Sequence, residues 1–180
     1  MTRTLQLALA TYRPRKAVPG QGLLDPSVSR MRVWPTDLDL YRHVNNGVYL
    51  QCMDVGRTNF LADLGAFAGL NEKRWYPVVA AQTIKYRRSL TLGQRFELTT
   101  TVLGWDARVV YLDQSFSRQG EHVARGVVAG RFLGRGGERV PAPDVVTLLT
   151  GEPVRSPELP DDVAAWARAV DVAARQDRTA

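Results

Sequence analysis

The stretch that decides the fold lies between residues 37 and 49. It reads Asp37-Leu38-Asp39-Leu40-Tyr41-Arg42-His43-Val44-Asn45-Asn46-Gly47-Val48-Tyr49. Carboxylates, an imidazole and two amides stand there, directly before a segment whose apolar residues recur at helical spacing. Because the first N–H groups of a helix lack an intrahelical acceptor, a helix start can hold an anion or polarise a carbonyl. A carboxylate beside such a start has the parts needed to hydrolyse an acyl bond, so the stretch predicts an active site.

The segment after this stretch predicts a helix with one buried face. Asn45 or Asn46 is suited to cap it, since an Asn side chain accepts a hydrogen bond from the first free N–H groups. Gly56 lowers helix stability on the buried face, which indicates a close approach to another backbone there. Gly65 and Gly69 are expected stops. The residues predicted on the buried face are Tyr49, Met53, Gly56, Phe60 and Leu64.

Strand-like runs flank this helix. One precedes it and four follow, rich in β-branched and aromatic residues and separated by turn-like sequences at 104–107 and 118–121. The predicted strands span residues 27–34, 78–90, 95–103, 108–116 and 122–133. The last three form an antiparallel meander, and the glycines of 134–137 end the sheet. This order predicts an α+β domain in which an antiparallel sheet covers a central helix.

The chain divides into three parts. Residues 1–26 form a poorly patterned lead-in, residues 27–137 the main domain, and residues 138–180 a C-terminal helical extension. In the extension a Pro-rich linker leads to a helix that begins at Asp161. We expect that helix to pack on the body or on a neighbouring chain. The residues of its apolar stripe are Val163, Trp166, Ala167 and Val170.

Composition excludes several classes of protein. The 180 residues fit one domain, no apolar run is long enough to span a membrane, and no convincing secretory signal is present, so we expect a cytoplasmic protein. The single cysteine, Cys52, permits no intrachain disulfide and is expected to be a buried packing residue. The net charge of +6 comes from scattered arginines without a nucleic-acid-binding motif. Two histidines without ligand spacing predict no metal site and no cofactor.

The chain resembles the hotdog-fold thioesterases of the 4-hydroxybenzoyl-CoA thioesterase type. It is most similar to the branch of acyl-CoA thioesterase-like proteins that includes thioesterase superfamily member six. It also resembles the plant acyl-carrier-protein thioesterases. The resemblance covers about residues 28–134. It rests on the Asp-x-Asp-x-x-x-His-Val-Asn-Asn-x-x-Tyr string of 37–49, Asp54 and Arg57, the run 86–90, Gly104-Trp105-Asp106 and Gln114.

The resemblance implies a hotdog fold and a homodimer, or a dimer of dimers, with its active sites at the interface where two sheets join edge to edge. It implies an acyl-CoA or acyl-carrier-protein substrate. The catalytic acid of the family corresponds to Asp39, and the N–H that polarises the thioester carbonyl corresponds to Asn46. One position departs from the plant enzymes, which carry Asn where this chain has Tyr41.

Each candidate residue also has a structural interpretation. Asp39 is predicted to act as base or nucleophile, although Asp before a helix often hydrogen-bonds only its own turn, the role we assign to Asp37. His43 either orients Asp39 and the attacking water or is a structural histidine. Asn46 can cap the helix and also lend its N–H to the substrate.

Four further residues are candidates for substrate binding. Asn45 is one, at the helix start. Tyr49 lies on the apolar face, in the core or against the acyl pocket. Arg87 and Arg88 either meet phosphates of coenzyme A or mark a solvated strand end.

The sequence therefore predicts an acyl-CoA thioesterase that acts on a fatty or aromatic acyl thioester. A thiol with a pKa of about 8.5 leaves with little help, so a catalytic triad is not required. The main alternative is a hotdog protein that binds acyl-CoA or a fatty acid without turnover. A regulator that binds DNA is a further alternative, but residues 1–26 contain no element that could read DNA. A hotdog dehydratase would need a His–acid pair at the substrate carbons, whereas His43 lies in the thioesterase-like string.

Overall fold

One antiparallel sheet curls around a long helix. The computed structural model describes residues 2–174. Within them the strands are β1 (Ser27–Arg32), β2 (Tyr76–Tyr86), β3 (Arg95–Trp105), β4 (Val110–Arg118), β5 (Glu121–Leu133) and β6 (Arg139–Val140). The helices are α1 (Arg3–Tyr12), α2 (Asn46–Asp63), α3 (Phe67–Lys73), α4 (Ala142–Thr150) and α5 (Asp161–Ala169). The sheet order is β1-β3-β4-β5-β2, and β6 pairs with the end of β5.

Helix α2 forms the centre of the main core. The Asn45 side chain caps it by accepting a hydrogen bond from the Gly47 N–H at 2.8 Å. The predicted buried face is confirmed at Tyr49, Met53 and Phe60, whereas Leu64 lies just past the helix end and is only partly buried. The apolar residues of the concave sheet face pack against this face, which makes burial by the sheet the main source of helix stability.

Gly56 is close to side chains, not to a backbone. A Cβ built at this position would lie 2.7 Å from Leu98 Cδ2 and 2.9 Å from Gln114 Nε2. The prediction of a close approach is therefore correct, and the predicted kind of neighbour is wrong. Helix α2 rests directly on the side chains of β3 and β4 at this position.

The predicted meander is confirmed, with β3, β4 and β5 adjacent and antiparallel. Gly104 and Trp105, predicted as part of a turn, instead belong to β3, where the pairing register shifts after Val102. The Trp105 N–H donates to Ser156 Oγ at 2.8 Å, so a side chain of the Pro-rich linker supplies the acceptor for this backbone group. A local sequence pattern does not reveal such a distant acceptor, which explains the wrong boundary.

Helices α1, α3 and α4 were not predicted. In α1 the Thr2 side chain accepts from the Leu5 N–H, and the helix packs on α2. Helix α3 includes Gly69, which was predicted as a stop. Each of these helices is short and stabilised by contacts with the body, so its own sequence gives a weak periodic signal.

The predicted C-terminal helix is confirmed as α5. Val163 and Ala167 are buried against the outer face of the sheet, in a cluster that includes Val109 and Tyr111. Val170, predicted on the same stripe, is 43% exposed because it follows the helix end. Among residues 2–174, no helix has the length and apolar character needed to cross a membrane.

Candidate active site

Residues 37–45 form a narrow loop that leads directly into α2. The Asn45 N–H donates to the Asp37 carbonyl at 2.9 Å, and the Asp39 N–H donates to the His43 carbonyl at 2.8 Å. Arg42, at the loop tip, has a φ of 62°. The first bond closes the base of the loop next to the helix start. The second places Asp39 opposite His43, one hydrogen-bonded pair further along the loop.

The Asp39 carboxylate is held by the loop's own backbone. Its Oδ1 accepts hydrogen bonds from the Tyr41 N–H at 2.9 Å and the His43 N–H at 3.1 Å. No donor to its Oδ2 occurs among residues 2–174. The side chain is partly exposed. One oxygen therefore fixes the orientation of the carboxylate, and the other remains available to a ligand or a water.

The imidazole of His43 is exposed and makes no hydrogen bond to Asp39. The contact between these two residues runs through the backbone N–H of His43 instead. The structure places His43 beside the carboxylate, and the group that orients the carboxylate is the main chain.

Asn46 is the first residue of α2 and is exposed. Its N–H lies in the first turn, where the helix supplies no acceptor and the dipole is positive. Its carbonyl accepts a hydrogen bond from the Tyr86 hydroxyl at 3.1 Å. The Asn46 N–H has no acceptor among residues 2–174, and the Asn46 carbonyl ties the helix start to the end of β2.

Tyr49 belongs to an aromatic cluster beneath the helix start. Its ring lies 5.2 Å from those of Tyr86 and Phe116, each at an interplanar angle of 70°. Burial raises the pKa of Tyr49 to about 12. Tyr49 is therefore a core residue that supports the site. Tyr86 was not among the predicted site residues, although the run 86–90 in the motif could have identified it.

Arg87 and Arg88 follow β2 directly after Tyr86, near the helix start. Both of their backbone N–H groups donate to the Val123 carbonyl, at 2.9 and 3.1 Å. Arg88 forms an exposed ion pair with Glu121. Arg87 lines an open groove of about 560 Å³ together with Lys85, His122, Arg125 and Asp162. Arg125 is already paired there with Asp113 and with Asp162 of α5.

The predicted Asp54–Arg57 pair is present on α2 and extends into the sheet. Arg57 Nη1 donates to Gln114 Oε1 at 2.6 Å. Gln114 Nε2 in turn donates to the Met53 carbonyl and to Thr100 Oγ1, each at 3.0 Å. This network, buried at Gln114 and open to solvent at Asp54, fixes the position of α2 over the sheet.

Comparison with known proteins defines the class. The sequence profile of the Thioesterase-like superfamily matches residues 33–167, and the chain belongs to this family. The fold is the hotdog fold of its structural neighbours. YbaW, a probable thioesterase from Escherichia coli, superposes with a TM-score of 0.64 at 20% identity, covering 71% of this chain and 98% of YbaW. The gentisyl-coenzyme A thioesterase BH1999 superposes with a TM-score of 0.61 at 22% identity, covering 67% and 98%.

Among curated proteins the chain is similar to Protein THEM6. It is 34% identical to the Xenopus laevis protein over 148 residues, which are 81% of this chain and 69% of that protein. The family match confirms the predicted resemblance, and the likeness to solved thioesterases confirms the predicted fold.

Proposed function

We propose that this protein hydrolyses acyl-CoA thioesters, with Asp39 as the catalytic carboxylate. The observation that carries the proposal is the position of the Asp39 carboxylate. One of its oxygens is held by backbone N–H groups of a closed loop, and the loop leads directly into the start of α2. Membership of the Thioesterase-like superfamily supports it. The name of BH1999 as a gentisyl-coenzyme A thioesterase adds support for a coenzyme A ester as the substrate.

In the proposed reaction the Asn46 N–H polarises the thioester carbonyl. Asp39 Oδ2 takes a proton from a water as that water attacks the carbonyl carbon, or attacks the carbon itself to give an acyl anhydride that a water hydrolyses after coenzyme A has left. In both routes the tetrahedral oxyanion is stabilised at the helix start. The C–S bond then breaks and coenzyme A leaves as a thiolate. A thiol with a pKa of about 8.5 needs little protonation to depart, so the site requires no general acid on the leaving group.

The remaining candidates support binding in this proposal. Asn45 holds the helix start, and Tyr49 supports it from below. Arg87, directly after β2, is the candidate contact for the phosphates of coenzyme A, in a groove that it shares with Lys85, His122 and Asp162. Arg88 already has Glu121 as a partner and contributes less. The imidazole of His43 is free to contact water or the ligand.

A homodimer is part of the proposal. The β1 edge of the sheet is covered, because Arg15 donates to the Val28 carbonyl and Arg3 to the Arg32 carbonyl. The β2 edge has no pairing strand within residues 2–174. Its Val79 is 40% exposed. An uncovered edge strand of eleven residues invites pairing with a second copy.

Asp39→Asn tests the catalytic assignment. The Asn oxygen can still accept the Tyr41 and His43 N–H bonds, so the loop should keep its shape. We expect thiol release from acyl-CoA to fall by at least about 100-fold. The matched control is Asp144→Asn, at an exposed position in α4, which should release thiol at the wild-type rate. Hydrolysis by Asp39→Asn at the wild-type rate would refute the role of Asp39.

The alternative is acyl-CoA binding without turnover, which the apolar cavity described below also favours. Saturable binding of acyl-CoA by the folded wild type, with no thiol released from any acyl-CoA, would support this alternative.

A further inference from the structure

A cavity of about 300 Å³ lies beneath the second half of α2, away from Asp39. Its walls come from α2, strands β2 to β5 and α4, together with Leu7 of α1 and Leu23. Nearly all the lining side chains are apolar, and the charged residues Asp54 and Arg57 stand together on the α2 side. The side chain of Asp54 is 44% exposed, so this is the side that opens to solvent.

The cavity exists because a strand residue in the middle of the sheet has no side chain. Gly130 of β5 pairs with Val79 of β2 on one side and with Val110 of β4 on the other. All three residues line the cavity. Because directly paired residues point to the same face of a sheet, a side chain at position 130 would project into this space.

Neither packing nor backbone conformation accounts for a glycine at position 130. Its backbone does not have the positive φ that favours glycine. A Cβ built there would meet only the Val110 carbonyl, at an ordinary contact distance of 3.6 Å. At Gly126, by contrast, a Cβ would lie 2.4 Å from Met53 Cε, so that glycine makes room for a core side chain. Glycine inside a strand reduces stability, and so does an empty apolar cavity.

A continuous stripe of α2 connects the cavity to the start of the helix. Gly47, Leu50, Asp54, Thr58 and Leu61 follow one another at the three- and four-residue spacing of one helix face. The last three line the cavity. From Asn46 to Asp54 the helix rises about 12 Å. A ligand with its carbonyl at Asn46 must span this distance before its tail reaches the cavity.

We infer that the cavity holds the end of a long, unbranched hydrocarbon chain, so that the ligand is a long-chain acyl thioester. This inference rests on the proposed function, because it places the thioester group at Asn46. An acetyl group or a single aromatic ring cannot extend from the helix start to the cavity. The cavity volume is at the lower end of the range for small-molecule pockets and suits one narrow chain.

The experiment measures binding with coenzyme A thioethers, which cannot be hydrolysed. S-dodecyl-CoA and S-ethyl-CoA are titrated calorimetrically into the wild type and into Gly130→Leu. The wild type should bind the dodecyl compound more tightly. In Gly130→Leu the affinity for S-dodecyl-CoA should fall by about tenfold, the loss expected when two methylene groups are no longer buried. The affinity for S-ethyl-CoA should change by less than about twofold, a difference too small to reflect loss of the site.

Two further variants make the result specific. Thr101→Leu adds a similar side chain on the opposite face of the sheet and should bind both compounds as the wild type does. Leu149→Phe narrows the same cavity from α4, and it carries the test if Gly130→Leu does not fold. Equal binding of the two compounds by the wild type, or an unchanged dodecyl affinity in a folded cavity variant, overturns the inference.

Hydrolysis is scored separately on acetyl-CoA and dodecanoyl-CoA. If the wild type hydrolyses acyl-CoA and the cavity variants keep the same chain-length preference, the proposed function is supported. The same result refutes the assignment of the acyl chain to the cavity. Loss of the dodecyl preference in the variants, without any turnover by the wild type, keeps the cavity assignment and refutes hydrolysis.

Discussion

Arg3 and Asp37 form a buried ion pair that ties the N-terminal helix to the loop of the candidate active site. Arg3 Nε donates to Asp37 Oδ1 at 3.1 Å and Nη2 donates to Oδ2 at 2.6 Å, with side chains only 2% and 1% exposed. Asp37 Oδ2 also accepts from the Trp34 N–H. Its carbonyl accepts from Asn45. Helix α1 therefore supports the loop that carries Asp39.

Arg3→Met should reduce the free energy of unfolding by roughly 3–5 kcal/mol, because it leaves the Asp37 carboxylate buried without its countercharge. In Arg3→Met combined with Asp37→Asn the loss should be smaller than the sum of the two single losses. Urea unfolding of the four proteins measures this coupling. Strictly additive losses would contradict the description of the pair as one unit.

The sequence predicted the central fold because its signals there are local. The alternation of β1, the cap at Asn45 and the apolar stripe of α2 each lie within a few residues, and the structure confirms them. The resemblance then placed Asp39 and Asn46 at a helix start, where the structure also has them.

The remaining features depend on distant contacts that a single sequence does not reveal. Arg3 lies 34 positions from Asp37, and the Trp105 N–H finds its acceptor in Ser156, 51 positions away. The orientation of Asp39 by the His43 backbone, and not by the imidazole, depends on the conformation of the loop. The space above Gly130 is visible only once Val79 and Val110 are placed beside it.

Gly56→Ala should destabilise the protein even though alanine favours helices. The new methyl group would overlap Leu98 and Gln114, and overpacking of a close-packed core costs about 1–3 kcal/mol, more than the gain of about 1 kcal/mol in helix propensity. Thermal unfolding gives the comparison. Gly69→Ala in α3 is the matched control, since its methyl group would meet only the side chain of Leu148, whose nearest atom lies at 3.3 Å. A higher melting temperature for Gly56→Ala would contradict the observed packing.

Cys52 should react very slowly with a disulfide reagent in the native protein. It is 1% exposed, and burial raises the pKa of its thiol to about 12, so both access and thiolate formation are suppressed at neutral pH. The reaction is measured with Ellman's reagent, a disulfide that releases a coloured thiolate. The same protein unfolded in guanidinium chloride is the control and should be labelled completely. Complete labelling of the native protein on mixing would show that the Cys52 side chain of α2 is not buried in the core. Slow labelling also means that Cys52 adds no background to a thiol-release assay.

Proline substitution in β2 should separate folding from assembly. Neighbouring residues in a strand point their N–H groups to opposite sides, so one of Gln82 and Thr83 donates toward β5 and the other toward the free edge. Proline has no backbone N–H, so it is tolerated in a strand only where that N–H makes no hydrogen bond within the sheet. Of Gln82→Pro and Thr83→Pro, one should weaken the β2–β5 ladder and lower the melting temperature. The other should stay folded and become monomeric.

Sedimentation velocity and circular dichroism on the two proline variants measure these outcomes, with the wild type expected to sediment as a dimer.

The loop tip of the candidate site explains why assembly and activity should be linked. Leu40 is fully exposed and Tyr41 is 82% exposed in the single chain, a degree of exposure for large apolar side chains that a partner subunit would relieve. The folded monomeric variant should therefore lose acyl-CoA hydrolysis together with dimerisation. A wild type that sediments as a monomer and still releases thiol would show that one chain completes the site alone.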